Sequence, residues 1–493
     1  MPATGRPRAS GLDPSRERTL LLLGAVLLAA YGVFLVRHSA FAVGGADSSG
    51  YLNTARRMRQ GTLVALPRSL DRLELPDPQA VACIPLGFVT GPRPGTMAPL
   101  YPAGFPAHLL AAAMLAGWSI GPYLVSPLAA VVSLLLCYRL GRELGLSVMA
   151  SGAAAAVLAV WPVFLFQALQ PMSDVVGMLW CVASILFARR ARTRAAWALA
   201  AGAALGIAVL VRPTNALLLV PLAFALPLRR RPLWLFAAGA APFALMLAIY
   251  NQRCYGNFAR SGYGVIGLSE AFAWSHFPPR FAYYGGHLLE TLAYILPIAW
   301  LALLVDRKTP LRDRALLICW FTVFFGFFCF YGPYESFIFV RFLLPGIPAL
   351  ILGAAIVIQH WGSAPGALRF APAAILLVVI AVEVRTTRRL GVLGVIGGQS
   401  AYPEACRWAE TQLPPRAVLL SAQASGALEY YTDVTYLRYD WLDPESFGRL
   451  QKVPGEWFAL LFSNEAEDFH KHVPDRWVQV GQRRGVALLK WEP

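Results

Sequence analysis

The chain has 493 residues, of which 57% are hydrophobic and only 14% charged, with a mean hydropathy of +0.53. Apolar runs of near-spanning length recur along most of it, which excludes a soluble globular enzyme and places the chain among polytopic helical membrane proteins. The 43 Lys+Arg against 27 Asp+Glu give a net charge of +16, but the arginines lie mostly between apolar runs. That pattern orients a protein in a bilayer and meets anionic headgroups; it does not point to nucleic acid.

In chain order, a tail over 1–18 carries Arg6, Arg8, Arg16 and Arg18 and is predicted to stay in the cytoplasm, ahead of a first apolar run over 19–36. Ala40-Phe41-Ala42 resembles a signal-peptidase site, but the run is longer than a usual signal-peptide core, so an uncleaved span is expected. A long loop over 37–119 then emerges outside, with Asp47 in Gly44-Gly45-Ala46-Asp47-Ser48-Ser49-Gly50-Tyr51. Within 49–61, Leu52, Ala55 and Met58 share one helical face while Arg56, Arg57 and Arg59 fall largely on others. This pattern fits a helix lying flat on the membrane or an ordinary packed surface helix.

Further apolar runs follow at about 120–138, 148–166, 171–188, 195–211, 215–228, 233–250, 288–305, 315–331, 342–358 and 370–384. If each spans, Arg139/Arg142, Arg189/Arg190/Arg192/Arg194, Arg229/Arg230/Arg231, Arg307/Lys308/Arg312/Arg314 and His360/Arg369 all face the cytoplasm. Counting 99–118 as a span would break that agreement, so it is read as a helix along the outer interface. The expected fold is an all-α polytopic membrane domain over 19–385 with about eleven transmembrane helices. After 386 the spanning pattern stops. β-like runs at 417–420, 457–462, 477–480 and 486–489 alternate with helical patterns at 402–412, 425–431, 443–451 and 464–471, so a small extracytoplasmic α/β domain over 386–493 is expected. Seven cysteines form no CxxC and no Cys/His ligand spacing, and read as small buried hydrophobes.

Ionisable groups kept near span ends are candidates for function because they are costly at membrane depth. The outer face receives Asp47, Asp174 in Gln170-Pro171-Met172-Ser173-Asp174, Arg212 in Arg212-Pro213-Thr214-Asn215, and Glu335 with Arg341 in Tyr334-Glu335-Ser336-Phe337-Ile338-Phe339-Val340-Arg341. Carboxylates and arginines on one face suit an anionic lipid-linked substrate, although Asp174 also reads as a helix cap or ion-pair partner, and Arg212 and Arg341 as snorkelling residues. The 251–287 loop adds His276, His287, Tyr255, Tyr263, Tyr283 and Tyr284, which an aromatic belt also accounts for. No P-loop, GxGxxG after a strand, HExxH or GxSxG is present, so the substrate is expected to arrive through the membrane.

Several segments in this order and spacing resemble GT-C glycosyltransferases, in the branch that includes protein O-mannosyltransferases and the aminoarabinose transferase of lipid A. They are Asp47-Ser48-Ser49-Gly50-Tyr51-Leu52, Pro99-Leu100-Tyr101-Pro102, Tyr138-Arg139-Leu140-Gly141-Arg142, Ser173-Asp174, Val211-Arg212-Pro213-Thr214-Asn215, Tyr250-Asn251 through Ser261-Gly262-Tyr263-Gly264, and Arg341-Phe342-Leu343-Leu344-Pro345. The resemblance implies a polyprenyl-phosphate-linked sugar donor, an envelope glycan, lipid or protein acceptor on the extracytoplasmic side of the inner membrane, and inversion at the anomeric carbon. It implies Asp47 as general base, Asp174 as a second acidic residue, and Arg341, then Arg212, with Arg260 or Arg253, on the donor phosphate. Tyr51, Tyr101, Tyr263, Glu335 and His287 are the accompanying substrate-binding candidates. Protein-mannosylating members carry an acidic pair in the first loop, whereas Ser48 follows Asp47 here, which disfavours a divalent cation without removing it, since Asp174 could contribute a ligand; no cofactor is expected. A transporter or flippase of a polyprenyl-linked glycan is the competing reading, and a catalytically silent scaffold a third. Charges clustered at span ends, not lining the middle of the membrane, disfavour transport.

Overall fold

The computed structural model describes residues 14–73, 79–332, 336–363, 370–450, 455–474 and 476–492. Arg6, Arg8, Glu335 and Arg369 lie outside the described residues. The chain divides into two compact units, one of 1–39, 124–245 and 270–393, the other of 40–123, 246–269 and 394–493.

The first unit is helical. Every predicted apolar run falls on a helix or a pair of helices, and the helices Ser15–His38, Gly121–Glu143 and Arg230–Tyr255 are long and apolar enough to cross a membrane. Others are interrupted where the sequence reads as one run. The run at 148–166 is two helices, Val148–Val160 and Pro162–Ala168, bent by 67°, because Pro162 has no N–H to give and its ring excludes a helical carbonyl. The run at 288–305 breaks at Ala293 and Tyr294, whose φ values of 56° and 59° end the helix Phe277–Thr291 before Ile295–Ala302 begins. That first helix also covers residues expected to be loop. The runs at 215–228 and 342–358 open with 3-10 turns, Pro213–Leu218 and Phe337–Leu343.

Glycines set the closest helix crossing. A Cβ on Gly202 would lie 1.9 Å from the Phe236 carbonyl oxygen and one on Gly239 2.1 Å from that of Leu199, so backbones meet without side chains between them. Gly202→Ala is expected to lower stability by about 1–3 kcal/mol, read as the unfolding midpoint in detergent; an unchanged midpoint would mean that the crossing yields freely. The Arg189 guanidinium binds the Asp313 carboxylate inside the unit, and the partly exposed Arg190 Nε lies 2.6 Å from Glu143 Oε1, whereas the fully buried Glu383 has no hydrogen-bond partner for either carboxylate oxygen among the described residues. Six cysteines of the chain are buried and Cys319 is half-buried, and all seven are free.

The second unit holds the first loop and the α/β domain. The loop supplies the helix Gly45–Gln60, the short helix Arg68–Leu73, a hairpin of β1 (Phe88–Thr90) with β2 (Met97–Pro99), and the helix Gly104–Ala116. Thirteen residues rise about 20 Å at 1.5 Å each, short of a ~30 Å hydrocarbon layer. This is the segment read as interfacial, and Met114 and Leu115 at its end are exposed. Of the two readings of 49–61, the structure supports packing: Leu52 and Ala55 are fully buried within the unit.

The C-terminal sheet contains β3 (Val418–Leu420), β4 (Thr435–Leu437), β5 (Trp457–Phe462), β6 (Trp477–Arg483) and β7 (Val486–Trp491), in the order β4-β3-β5-β7-β6. The first three strands are parallel and the last two form an antiparallel hairpin. Side chains alternate across it. Val418, Leu420, Trp457, Ala459 and Leu461 enter one core, while Leu419, Phe458, Leu460, Val486 and Leu488 enter the other, so helices cover both faces and β3 and β5 are apolar throughout. Arg484 and Gly485, with φ of 51° and 78°, close the β6–β7 hairpin in the two-residue turn that needs positive φ at both positions. The three-residue β4 was absent from the sequence reading.

Candidate active site

Candidate residues gather in two clusters, one in each unit. In the second unit, Asp47 lies in the first turn of the helix Gly45–Gln60, where the free N–H groups favour an anion. Tyr101 Oη donates to Asp47 Oδ1 at 2.5 Å. The Tyr51 ring lies 4.5 Å from that of Tyr101, and Tyr263 meets Tyr101 edge-on at 6.3 Å. Burial, then the Asp47 carboxylate, hold the Tyr101 hydroxyl well above the usual tyrosine range, so it stays protonated and keeps donating.

Glycine permits this approach. A Cβ on Gly50 would lie 2.5 Å from the Tyr101 ring and 2.7 Å from Gly87 Cα, and Gly87 itself has φ of 88°. Tyr250 Oη and Tyr255 Oη donate to the carbonyls of Tyr101 and Pro99 at 2.9 and 2.8 Å, fixing the strand end from which Tyr101 projects. Ser48 does not extend the acidic site: its hydroxyl donates to the Gly44 carbonyl one turn back. Arg253 and Arg260 are exposed, Arg253 lining a shallow groove with Ala248, Ile249, Gln252 and Phe258. The structure gives neither of them a contact with Asp47.

In the first unit, Asp174 opens the helix Ser173–Arg190 and is 1% exposed. The Arg212 guanidinium, at the end of the helix Trp197–Val211, binds Asp174 Oδ1, and Arg341 Nη1 lies 3.9 Å from Oδ2. Phe342 backs both guanidiniums, 5.5 Å from each. Two arginines meet around one carboxylate on an aromatic floor, and guanidiniums are the groups that bind a phosphate bidentately. Residues 38 and 167 positions from Asp174 in the chain thus meet at one atom pair each. His287 is half-buried on the helix Phe277–Thr291, 4.8 Å from the Tyr283 ring. The sequence reading passed over Arg280 on the same helix, which is 7% exposed and 5.5 Å from the Tyr283 ring; its only signal was an arginine in an otherwise aromatic run. Among the described residues no group of three or more His, Cys, Asp or Glu can hold a metal ion.

ArnT from Cupriavidus metallidurans, solved bound to undecaprenyl phosphate, superposes with a TM-score of 0.60 over 94% of this chain and 97% of its own, at 14% identity. The chain has the GT-C glycosyltransferase fold. Two further GT-C relatives agree. The Archaeoglobus fulgidus oligosaccharyltransferase AglB, solved with an inhibitory peptide and a dolichol-phosphate, matches with a TM-score of 0.58 at 12% identity, over 90% of this chain and 70% of its own. The mycobacterial arabinofuranosyltransferase AftD matches with 0.55 at 14% identity, over 99% of this chain and 41% of its own. A family model described as dolichyl-phosphate-mannose-protein mannosyltransferase matches residues 107–250. No curated protein sequence matches the chain. The part of this GT-C chain that the family model covers includes Asp174 and Arg212, the directly bonded pair of the first-unit cluster.

Proposed function

We propose that this GT-C protein transfers a sugar from a polyprenyl-phosphate donor to an acceptor hydroxyl, with inversion and with Asp47 as general base. The observation that carries the reading is the chemistry each unit holds: in one a carboxylate bonded to a phenol, in the other two arginines around a buried carboxylate. An alcohol is a weak nucleophile until a base takes its proton, and a departing phosphate gathers negative charge that guanidiniums complement. The acceptor oxygen attacks the anomeric carbon from the face opposite the phosphate. As that bond forms, the carbon–oxygen bond to phosphate breaks, the hydroxyl proton passes to Asp47, and the lipid phosphate leaves with the electron pair. Arg341 and Arg212 receive it. Tyr101 holds the Asp47 carboxylate in orientation, and Tyr51 and Tyr263 present rings to the sugar.

Retention of undecaprenyl phosphate by ArnT and of dolichol-phosphate by AglB supports a lipid-phosphate donor. The arginine distribution supports the N-terminus in the cytoplasm, the inner membrane as location, and residues 386–493 outside. The residues present do not suit a catalytic cation. Ser48 turns back to its own helix and Asp174 is taken by two arginines, whereas a hard cation needs several free oxygens.

Purified protein in vesicles with a polyprenyl-phosphate sugar and envelope glycan, lipid or protein fractions is expected to give a glycosylated product of inverted configuration, equally in EDTA, read by mass spectrometry and NMR. Lipid movement across the bilayer with no covalent product would replace this reading with transport. Comparing envelope glycans of a strain lacking the chain identifies sugar and acceptor together.

A further inference from the structure

We propose that the C-terminal α/β domain positions the general base, with Glu429 and Gly426 as its positioning residues; this rests on Asp47 acting as that base. The helix Gly45–Gln60 has two working stripes. Asp47, Gly50 and Tyr51 turn toward Tyr101, while Ser49, Asn53, Arg56 and Arg57, spaced three or four apart, form the other. All four of the second stripe meet the helix Ser425–Tyr431 of the C-terminal domain.

At the Asp47 end the approach is at backbone distance. A Cβ on Gly426 would lie 2.1 Å from Ser49 Oγ, 2.8 Å from Ser49 Cβ and 3.0 Å from the Leu86 carbonyl oxygen, so no other residue fits without moving a neighbour. Asn53 Nδ2 donates to the Gly426 carbonyl at 2.8 Å, and Val43 N, just ahead of the helix, donates to Tyr431 Oη at 2.7 Å. At the far end Arg56 Nη1 donates to the Tyr430 carbonyl at 2.7 Å, and its guanidinium lies 3.4 Å from the Tyr430 ring centre. Arg57 Nη2 donates to Glu429 Oε1 at 2.9 Å, Tyr436 Oη donates to Oε2 at 2.9 Å, and Arg68 Nη2 lies 3.6 Å from Oε2. Glu429 thus stands between Arg57 and Arg68 of the first loop with its side chain only 10% exposed, while the exposed Asp433 pairs with Arg68 and Arg72.

With Tyr101 and Gly87 against one stripe and Gly426 against the other, the helix has no room to shift. Displacing it from the domain side moves Asp47 against Tyr101 and against any acceptor. A shift of about 1 Å at a reacting group costs on the order of a hundredfold in rate. Of the basic residues on this helix, which in the sequence look made for lipid headgroups, Arg57 is instead paired with Glu429 and Arg56 lies on the Tyr430 ring.

The test uses the full-length protein in vesicles with a polyprenyl-phosphate sugar donor. Gly426→Ala is expected to lower kcat about a hundredfold with donor KM held within about twofold. Adding Ser49→Gly, which removes the atoms that the new methyl meets, is expected to recover about tenfold or more, a coupling that independent sites do not show. Glu429→Gln, isosteric and uncharged, is expected to lower kcat about tenfold. In both single variants hydrogen exchange over 45–55 should quicken by more than any accompanying drop in the unfolding midpoint accounts for. Arg449→Gln, which breaks an exposed pair with Glu445 elsewhere in the domain, should change nothing. Unchanged kcat in folded Gly426→Ala and Glu429→Gln, or no recovery on adding Ser49→Gly, overturns the proposal. Should Asp47→Asn retain transfer while exchange over 45–55 still quickens in these variants, the base assignment falls and the grip on the helix stands.

Discussion

Asp47→Asn is expected to reduce sugar transfer by about a thousandfold, inside the 10²–10⁴ range that a positioned general base contributes, while the protein inserts and melts as before. Folding should survive because the asparagine carbonyl oxygen can still accept from Tyr101 Oη, which lies 2.5 Å from the carboxylate, and because the helix Gly45–Gln60 keeps its packing on Ser49, Leu52 and Ala55. Chemistry should fail because an amide takes no proton from the acceptor. Tyr101→Phe separates the two roles of the site. It removes the hydroxyl held protonated by burial and by the carboxylate, and is expected to cost about tenfold while Asp47 stays in place. Substantial transfer by Asp47→Asn, measured with labelled lipid-linked sugar and confirmed at several enzyme concentrations, would remove Asp47 from the mechanism.

The arginine pair should divide into a structural and a substrate-facing member. Arg212 binds the 1% exposed Asp174 directly, while Arg341 stands 3.9 Å from the other oxygen. Removing one partner of a buried pair leaves an uncompensated charge, at a cost of about 3–5 kcal/mol; Arg212→Met, with Arg341 still near, is expected at the lower end, about 3 kcal/mol. Arg341→Met, which leaves the Arg212–Asp174 bond in place, should cost less stability than Arg212→Met but lower kcat/KM for the lipid donor by on the order of a hundredfold. Thermal unfolding in detergent and donor titrations read the two effects separately. If Arg341→Met melts early and transfers normally, the assignment of the two residues is reversed or wrong.

How far the sequence carries can be judged residue by residue. The strand at 457–462 and the helix at 425–431 were legible to the residue, because each is a local run bounded by turn-forming residues. The 99–118 segment is read as interfacial from the arginines alone, and its helix, Gly104–Ala116, is one of the shorter apolar helices. Asp47, Asp174, Arg212 and Arg341 stood out because charge near a membrane is costly. What they touch did not. Tyr101 is 54 positions from Asp47, and Glu429 is 372 from Arg57; no periodicity reaches that far. The break at Ala293 and Tyr294 was equally hidden, since neither residue favours positive φ and only surrounding packing holds it.

By itself, then, the amino-acid order determined which stretches are apolar, which charges remain beside them, and that an α/β alternation follows the last apolar run. These are one-dimensional properties, summed over neighbours in the chain. The tertiary structure alone decided that a basic first-loop helix meets Glu429 and Tyr430, that Asp174 is shared by two arginines, and that Asp47 is held by a phenol. Each of those depends on distant segments meeting within a few ångströms, where glycines permit backbones to close and burial makes every unpaired charge costly.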